Sequence, residues 1–363
     1  MTIVFIIQIS VYFCILYHNR MFYKLFIRKF LFFFAPEISH YLSIWILKKL
    51  FIIPGFSSFV RWFYSVENKK LHRNIFGLHF KNPIGLAAGF DKNAQFFNEF
   101  ASFGFGFIEI GTVTPLAQKG NPKPRLFRLK NDHALINRMG FNNEGVDQVV
   151  ERLKKRYTNI IIGGNIGKNK VTDNTLASSD YIKCIEKIAP YVDYLVLNIS
   201  SPNTPNLVEL QNKKDLKILL SKVQSLNQKK YHKPILIKIS PDLKFSQIDQ
   251  IIDLVYEFNI SGIIATNTSS NRDNLITEKT IIAQKGAGGL SGKPIYLKSK
   301  KIITYISKKS SGKIPIVAVG GIMTASDAVE MLNCGASLVQ IYTGFVYNGP
   351  SIIKEINNEL LGA

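Results

Sequence analysis

Eight short runs rich in aliphatic and β-branched residues recur through the chain after residue 81. They read NPIGLAAGF, FGFIEIGTV, NIIIGGNIG, YLVLNIS, PILIKIS, GIIATNTS, IPIVAVGGI and LVQIYTG. None alternates apolar with polar residues. A half-wet strand alternates, whereas a strand buried on both faces, as in a parallel sheet, reads as a near-continuous apolar run. Longer amphipathic stretches separate the runs, among them EGVDQVVERLKKR, SSDYIKCIEKIAPYV, FSQIDQIIDLVYEFN and TASDAVEMLNCG. Eight such β/α units in about 270 residues predict an α/β fold of the (β/α)8 TIM-barrel type. A doubly wound open sheet is the alternative, but it would not usually need eight similar strands in one row. No repeat or low-complexity linker divides residues 70–363, which read as one barrel domain.

The runs share a second property. They end in AAGFDK, GTVTP, NIGKN, NISSPN, KIS, TNTS, GGI and YTG. Barrels collect their binding and catalytic groups at the C-terminal ends of the strands. Turn chemistry explains one or two polar endings but not eight. Lys92, Lys168 and Lys238 stand at or near the end of an apolar strand, an expensive place for a cation unless it faces an anion or an electron-rich ligand. The segment NISSPNTPNL, residues 198–207, packs two serines and Asn198, Asn203 and Asn206 around two prolines. A nucleophilic serine would want a histidine base, and none of the six histidines is near it in sequence.

The first seventy residues differ in kind. Residues 1–20 begin with nineteen that carry no charged side chain, long enough for a membrane span; Met21 is an alternative start. Residues 21–69 are apolar and aromatic, but Pro36, Glu37 and Pro54 break them into helices suited to lying in a membrane interface. Six Lys/Arg against one acid in residues 1–50 suit an anionic membrane surface. The whole chain has 46 Lys+Arg and 25 Asp+Glu, a formal net charge of +21. Its lysines are scattered rather than striped, and no nucleic-acid-binding signature is present, so no nucleic-acid partner is expected. Cys14, Cys184 and Cys334 are far apart and form no CxxC or Cys/His cluster, so neither a metal site nor a disulfide framework is expected.

Gly320-Gly321 and Tyr342-Thr343-Gly344 follow the seventh and eighth runs, where barrels commonly bind a phosphate. Gly288, Gly289 and Gly292 add a further glycine-rich loop. One phosphate at these loops, with asparagines and Lys238 left to serve a flat heterocycle, describes flavin mononucleotide (FMN). The motifs GLAAGFDKN, GFIEIGTVTP, GNPKPRLFRL, INRMGFNN, NISSPNTPNL, IATNTS, GGLSGKP and GASLVQIYTG, in that order, make the chain resemble the dihydroorotate dehydrogenases. The resemblance is to their class 2, which is membrane-associated and quinone-reducing, and it covers residues 21–350.

The resemblance implies oxidation of (S)-dihydroorotate to orotate in pyrimidine (UMP) biosynthesis, with FMN taking a hydride from C6 and a membrane quinone as final acceptor. It implies Ser201 as the base for the C5 proton, with Thr204 or a water chain relaying the serine proton and Lys92 stabilising the developing enolate. Implied flavin contacts are Ala88, Gly89, Phe90, Asp91, Lys92, Thr112, Asn165, Asn198, Lys238, Thr266, Gly292, Gly321, Tyr342 and Thr343. The implied orotate pocket comprises Lys92, Asn137, Arg138, Met139, Gly140, Phe141, Asn198, Asn203, Asn267 and Thr268. Asn198 and Asn203 have a plainer alternative, that of fixing a turn. His40 and Arg128 are implied to line the quinone path; for His40 the alternative is an interfacial residue without a role. A serine at 201, where class 1 enzymes have cysteine, and the hydrophobic extension both point to class 2. The implied location is the cytoplasmic side of a bacterial inner membrane.

Two rival readings make different demands. A tRNA-dihydrouridine synthase-like barrel would want a catalytic cysteine and an RNA-binding extension. A non-enzymatic membrane-anchored barrel would not need Lys92, Ser201 and the asparagine set at the strand ends.

Overall fold

The computed structural model describes residues 21–204 and 206–362. The expected hydrophobic segment 1–20, with Cys14, lies outside the described residues, as does Pro205. Eight strands form a closed ring: β1 Ile84–Leu86, β2 Phe107–Val113, β3 Ile161–Ile166, β4 Tyr194–Asn198, β5 Ile235–Ile239, β6 Gly262–Ala265, β7 Ile316–Val319 and β8 Leu338–Ile341. Every neighbouring pair is parallel, and β8 closes onto β1 through Val339 opposite Ile84. All eight runs are therefore barrel strands, in sequence order.

The continuous apolar pattern follows from this closure. On β5, Ile235, Ile237 and Ile239 join the core shared with the surrounding helices, while Leu236 joins the barrel interior with Ile264, Val317 and Leu338. Phe80, from the hairpin Arg73–Ile75/Leu78–Phe80, plugs the lower end and meets the Phe107 ring edge-on at 5.3 Å. Phe107 and Tyr194 fit inside because glycines face them: a methyl built on Gly85 would run into the Phe107 ring, and one on Gly163 into the Tyr194 ring. Overpacking of this kind typically costs 1–3 kcal/mol. Gly163→Ala is accordingly expected to lower stability by about 2 kcal/mol, read as a fall in Tm.

Two additions complete the frame. A three-stranded antiparallel sheet, Leu126–Leu129, Ala134–Asn137 and Gly289–Gly292, stands over the C-terminal mouth of the barrel. The glycine-rich stretch expected to be a loop is its third strand, pairing Gly289 with Asn137.

The N-terminal region is helical over Tyr23–Phe33, Pro36–Leu50 and Phe56–Tyr64. The first two helices meet at a bend of 119°, where Pro36 opens the second, the position at which its missing N–H costs nothing. Arg128 holds the bend, its guanidinium donating to Phe34 O (2.7 Å) and Ser39 Oγ (2.8 Å). Glu37 is tied to the barrel by an ion pair with the buried Arg125 at 2.8 Å. Phe22, Phe26, Phe30, Phe33, Trp45 and Trp62 are left exposed. Among the described residues no single helix is long and apolar enough to cross a membrane.

Candidate active site

The strand ends and the accessory sheet enclose a cavity at the barrel mouth. Its base is a polar layer set on the apolar plug. Glu109, fully buried on β2, accepts hydrogen bonds from Asn165 Nδ2 (2.7 Å) and Gln340 Nε2 (2.6 Å), with Lys238 Nζ at 3.5 Å. Asn165 Oδ1 in turn accepts from Thr112 Oγ1 (2.6 Å), and Thr112 Oγ1 accepts from Asn198 Nδ2 (2.8 Å). Thr112, Asn198, Lys238 and Gln340 front the cavity. Asn165 stands one layer behind and fixes the directions of the Thr112 hydroxyl and the Asn198 amide.

The asparagines are locked across elements, and Asn198 also within its own turn, where its Oδ1 accepts the Ser200 N–H at 3.4 Å. Asn203 Nδ2 donates to Asn137 Oδ1 at 2.8 Å, and Asn267 Nδ2 to Ser200 Oγ at 3.0 Å and Asn198 Oδ1 at 3.3 Å. Asn267 Oδ1 accepts the Thr268 backbone N–H. Asn198 and Asn203 thus reach Thr112 and Asn137, 86 and 66 positions away, which the turn-fixing alternative does not require. Ser201 lines the same space, its Oγ accepting the Asn203 N–H at 3.3 Å. No histidine lines the cavity among the described residues. Thr204, in the Ser201 loop, is buried with a hydroxyl that has no partner among the described residues.

Lys92 enters from the loop after β1, donating to Gly89 O at 2.6 Å. Burial pulls its pKa down to about 8; the nearby Glu37 carboxylate opposes this and Arg125 adds to it. The cavity's far end is glycine-built. Gly292, Gly320 and Gly321 have φ of +96°, +129° and +81°, and a methyl on Gly321 would meet the Tyr296 Cα at 2.5 Å. Thr343, first residue of the helix Thr343–Asn348, exchanges a hydroxyl hydrogen bond with Ser291 at 2.9 Å. Backbone N–H groups at such glycine turns beside a helix start suit a phosphate, and a methyl at Gly292, Gly320 or Gly321 would collide with His133 O, Ser299 Oγ or the Tyr296 backbone, so only glycine lets the turns take this shape. Ala88, Gly89, Thr266, Tyr342, Met139, Gly140 and Phe141 also line the cavity.

Four residues from the motifs point elsewhere. Asp91 is turned into the loop, its carboxylate accepting the Gln95 and Phe96 N–H groups (2.7 and 3.0 Å), and burial pushes its pKa up to about 6. Phe90 turns outward into an aromatic cluster with Phe100 and Phe345. Arg138 lies over the Phe127 ring and donates to Pro124 O at 2.8 Å. Lys168, expected from its strand-end position to face a ligand, instead donates to Thr172 O at 2.8 Å. In these loops successive side chains diverge, so only part of a motif fronts the cavity.

His40, on the helix Pro36–Leu50, packs its ring 5.2 Å from Phe90, which lies 5.3 Å from the cavity residue Tyr342. Burial depresses its pKa to about 3, reinforced by Lys92, so the ring is neutral. Glu109 and Gln340 escaped the sequence reading; a lone acid in FIEI and a lone amide in LVQI, each inside an apolar strand, were the available signals.

This arrangement has close counterparts. The chain is 54% identical over 340 residues to a dihydroorotate dehydrogenase (quinone) of Christiangramia forsetii, covering 93% of this chain and 98% of that protein. It is 46% identical over 331 residues to the enzyme of the same name from Idiomarina loihiensis, covering 90% and 96%. Among solved structures, ligand-free DHODH from Eimeria tenella superposes with a TM-score of 0.81 at 38% identity, covering 90% of this chain and 94% of that one. The same enzyme in complex with ferulenol gives 0.81 at 37%, covering 90% and 91%. The dihydroorotate dehydrogenase family profile matches residues 70–362, and with these relatives it shows that the chain belongs to the dihydroorotate dehydrogenase family.

Proposed function

We infer that this cavity oxidises (S)-dihydroorotate to orotate in pyrimidine biosynthesis, with FMN as the bound cofactor and a membrane quinone as terminal acceptor. The family is flavin-dependent and the relatives carry the quinone-dependent name. The observation that carries the reading is the convergence of Ser201, Lys92 and the interlocked asparagines on one cavity whose other end is a glycine-built anion cradle.

FMN, when bound, supplies the hydride acceptor for C6 and the electron store from which the quinone is reduced. Gly292, Gly321 and Thr343 would hold its phosphate, while Lys238, Thr112 and Thr266 would hold its ring. Asn137, Asn203, Asn267 and Thr268 present amide and hydroxyl groups suited to the substrate's own amide-like edges. Ser201 Oγ takes the C5 proton as it gives up its own, which passes by way of the Thr204 hydroxyl of the same loop and out to water. Thr204 Oγ1 has no hydrogen-bond partner among the described residues, so the relay runs through a bridging water. Lys92 and the amide donors stabilise the charge that builds on the substrate carbonyl, and the buried setting strengthens each interaction.

Residues 21–69 then form the quinone-delivering region and residues 70–363 the catalytic barrel. Exposed Phe22, Phe26, Phe33, Trp45 and Trp62, with Arg28, Lys29, Lys48, Lys49 and Arg61 on the three N-terminal helices, suit the interface of an anionic membrane. The cytoplasmic side of a bacterial inner membrane meets these needs. The neutral His40 ring, in aromatic contact with Phe90 and through it with Tyr342, suits an uncharged quinone approaching the cavity, with Arg128 at the helix bend. His40→Ala is expected to raise the quinone KM severalfold while dihydroorotate-driven flavin reduction keeps its rate, measured by steady-state and single-turnover assays. The function itself is tested by acceptor choice: dihydroorotate oxidation should proceed with a quinone analogue in detergent and not with fumarate or NAD+. Turnover with the soluble acceptors alone would overturn the quinone assignment.

A further inference from the structure

Glu109 is the least expected residue in the barrel. It sits inside β2 with 0% exposure, where barrels ordinarily stack branched aliphatic side chains. A buried carboxylate carries a desolvation penalty of several kcal/mol unless donors surround it. Here they come from three other strands: Asn165 on β3, Lys238 on β5 and Gln340 on β8. Each donor has a second connection with the cavity. Lys238 and Gln340 line it directly, and Asn165 orients Thr112 and Asn198, which also line it. Tyr194 is buried next to this layer, its hydroxyl without a hydrogen-bond partner among the described residues.

We propose that Glu109 is a positioning residue that sets the reduction potential of the bound flavin, by holding the Lys238 ammonium at the cavity wall and offsetting its charge. The proposal rests on the flavin reading above. Two electrons and one proton leave a reduced flavin ring anionic. A lone Lys238 cation would stabilise that anion strongly, and a carboxylate 3.5 Å from the ammonium cancels part of the effect in a low-dielectric interior. The carboxylate therefore keeps the potential low enough for electrons to pass on to a quinone.

The test is a reference-dye titration of the purified flavin-loaded protein. Glu109→Gln keeps the shape and removes the charge, and it is expected to move the midpoint potential positive by at least a tenfold change in the two-electron equilibrium, about 30 mV. Lys238→Met is expected to move it negative. The double variant Glu109→Gln/Lys238→Met, which leaves no unpaired buried charge, should return toward the wild-type value and keeps the test open if the single variant does not fold. A purely packing role would leave the potential unmoved, or move it in the same direction for both single variants, and either result overturns the proposal. A wild-type protein that purifies without flavin would instead refute the cofactor reading, a distinct outcome.

Discussion

Ser201→Ala is expected to slow the bleaching of the flavin by dihydroorotate by about 10²–10⁴-fold, the range a positioned proton acceptor supplies. The substitution removes one oxygen from a buried side chain that lines the cavity. Its structural consequence is the loss of one acceptor for the Asn203 N–H, worth about 1 kcal/mol. Orotate affinity should therefore change little, because the pocket amides are held by Thr112, Asn137 and Ser200 rather than by Ser201. Stopped-flow mixing without oxygen, paired with an orotate titration, separates the two effects. Slow bleaching with intact orotate binding identifies the base; equal losses in both would mean that Ser201 only shapes the pocket.

Lys92→Met is expected to lower the same rate by about 10²–10³-fold, as for loss of one preorganised group facing developing charge. Unlike Ser201→Ala it should also weaken orotate binding, since the ammonium attracts the ground-state carboxylate as well. The wild-type protein carries a pH signature of this role. With its pKa lowered to about 8, Lys92 is cationic below that value and neutral above it. Binding of an anion that needs the cation is then constant below about pH 7 and falls about tenfold per unit above the lysine's pKa near 8. The dependence should vanish in Lys92→Met. A flat profile in the wild type, read by flavin spectral change on orotate titration, would remove Lys92 from substrate recognition.

The barrel was legible because closure buries both faces of every strand, and that physical demand is written as eight continuous apolar runs. The helix break at Pro36 was legible for a similarly local reason, the missing N–H. The accessory sheet was not. Its strands are four residues long, and its third, Gly289–Gly292, pairs with Ala134–Asn137 from far along the chain. Glycines that read locally as a loop are there a strand pressed against other backbone, with Gly292 held at positive φ beside His133 and Ala134.

At the site, motif order located the loops but not the direction of each side chain. GFDKN delivers Gly89 and Lys92 to the cavity, while Phe90 turns to an aromatic cluster and Asp91 accepts the N–H groups of the loop that follows. In NRMGF, Arg138 is drawn outward by Pro124 O and the Phe127 ring. Glu109 stayed hidden because its three partners lie on three distant strands that only the closed barrel brings together.

Anaerobic titration of the purified protein with (S)-dihydroorotate, followed by addition of a quinone analogue, reads substrate, cofactor and acceptor in one experiment. A yellow protein is expected whose visible absorption is lost in proportion to dihydroorotate added, one equivalent per flavin, and returns when the quinone is supplied. A yellow protein whose absorption is unchanged by dihydroorotate would contradict the substrate assignment and leave only a flavin-binding barrel.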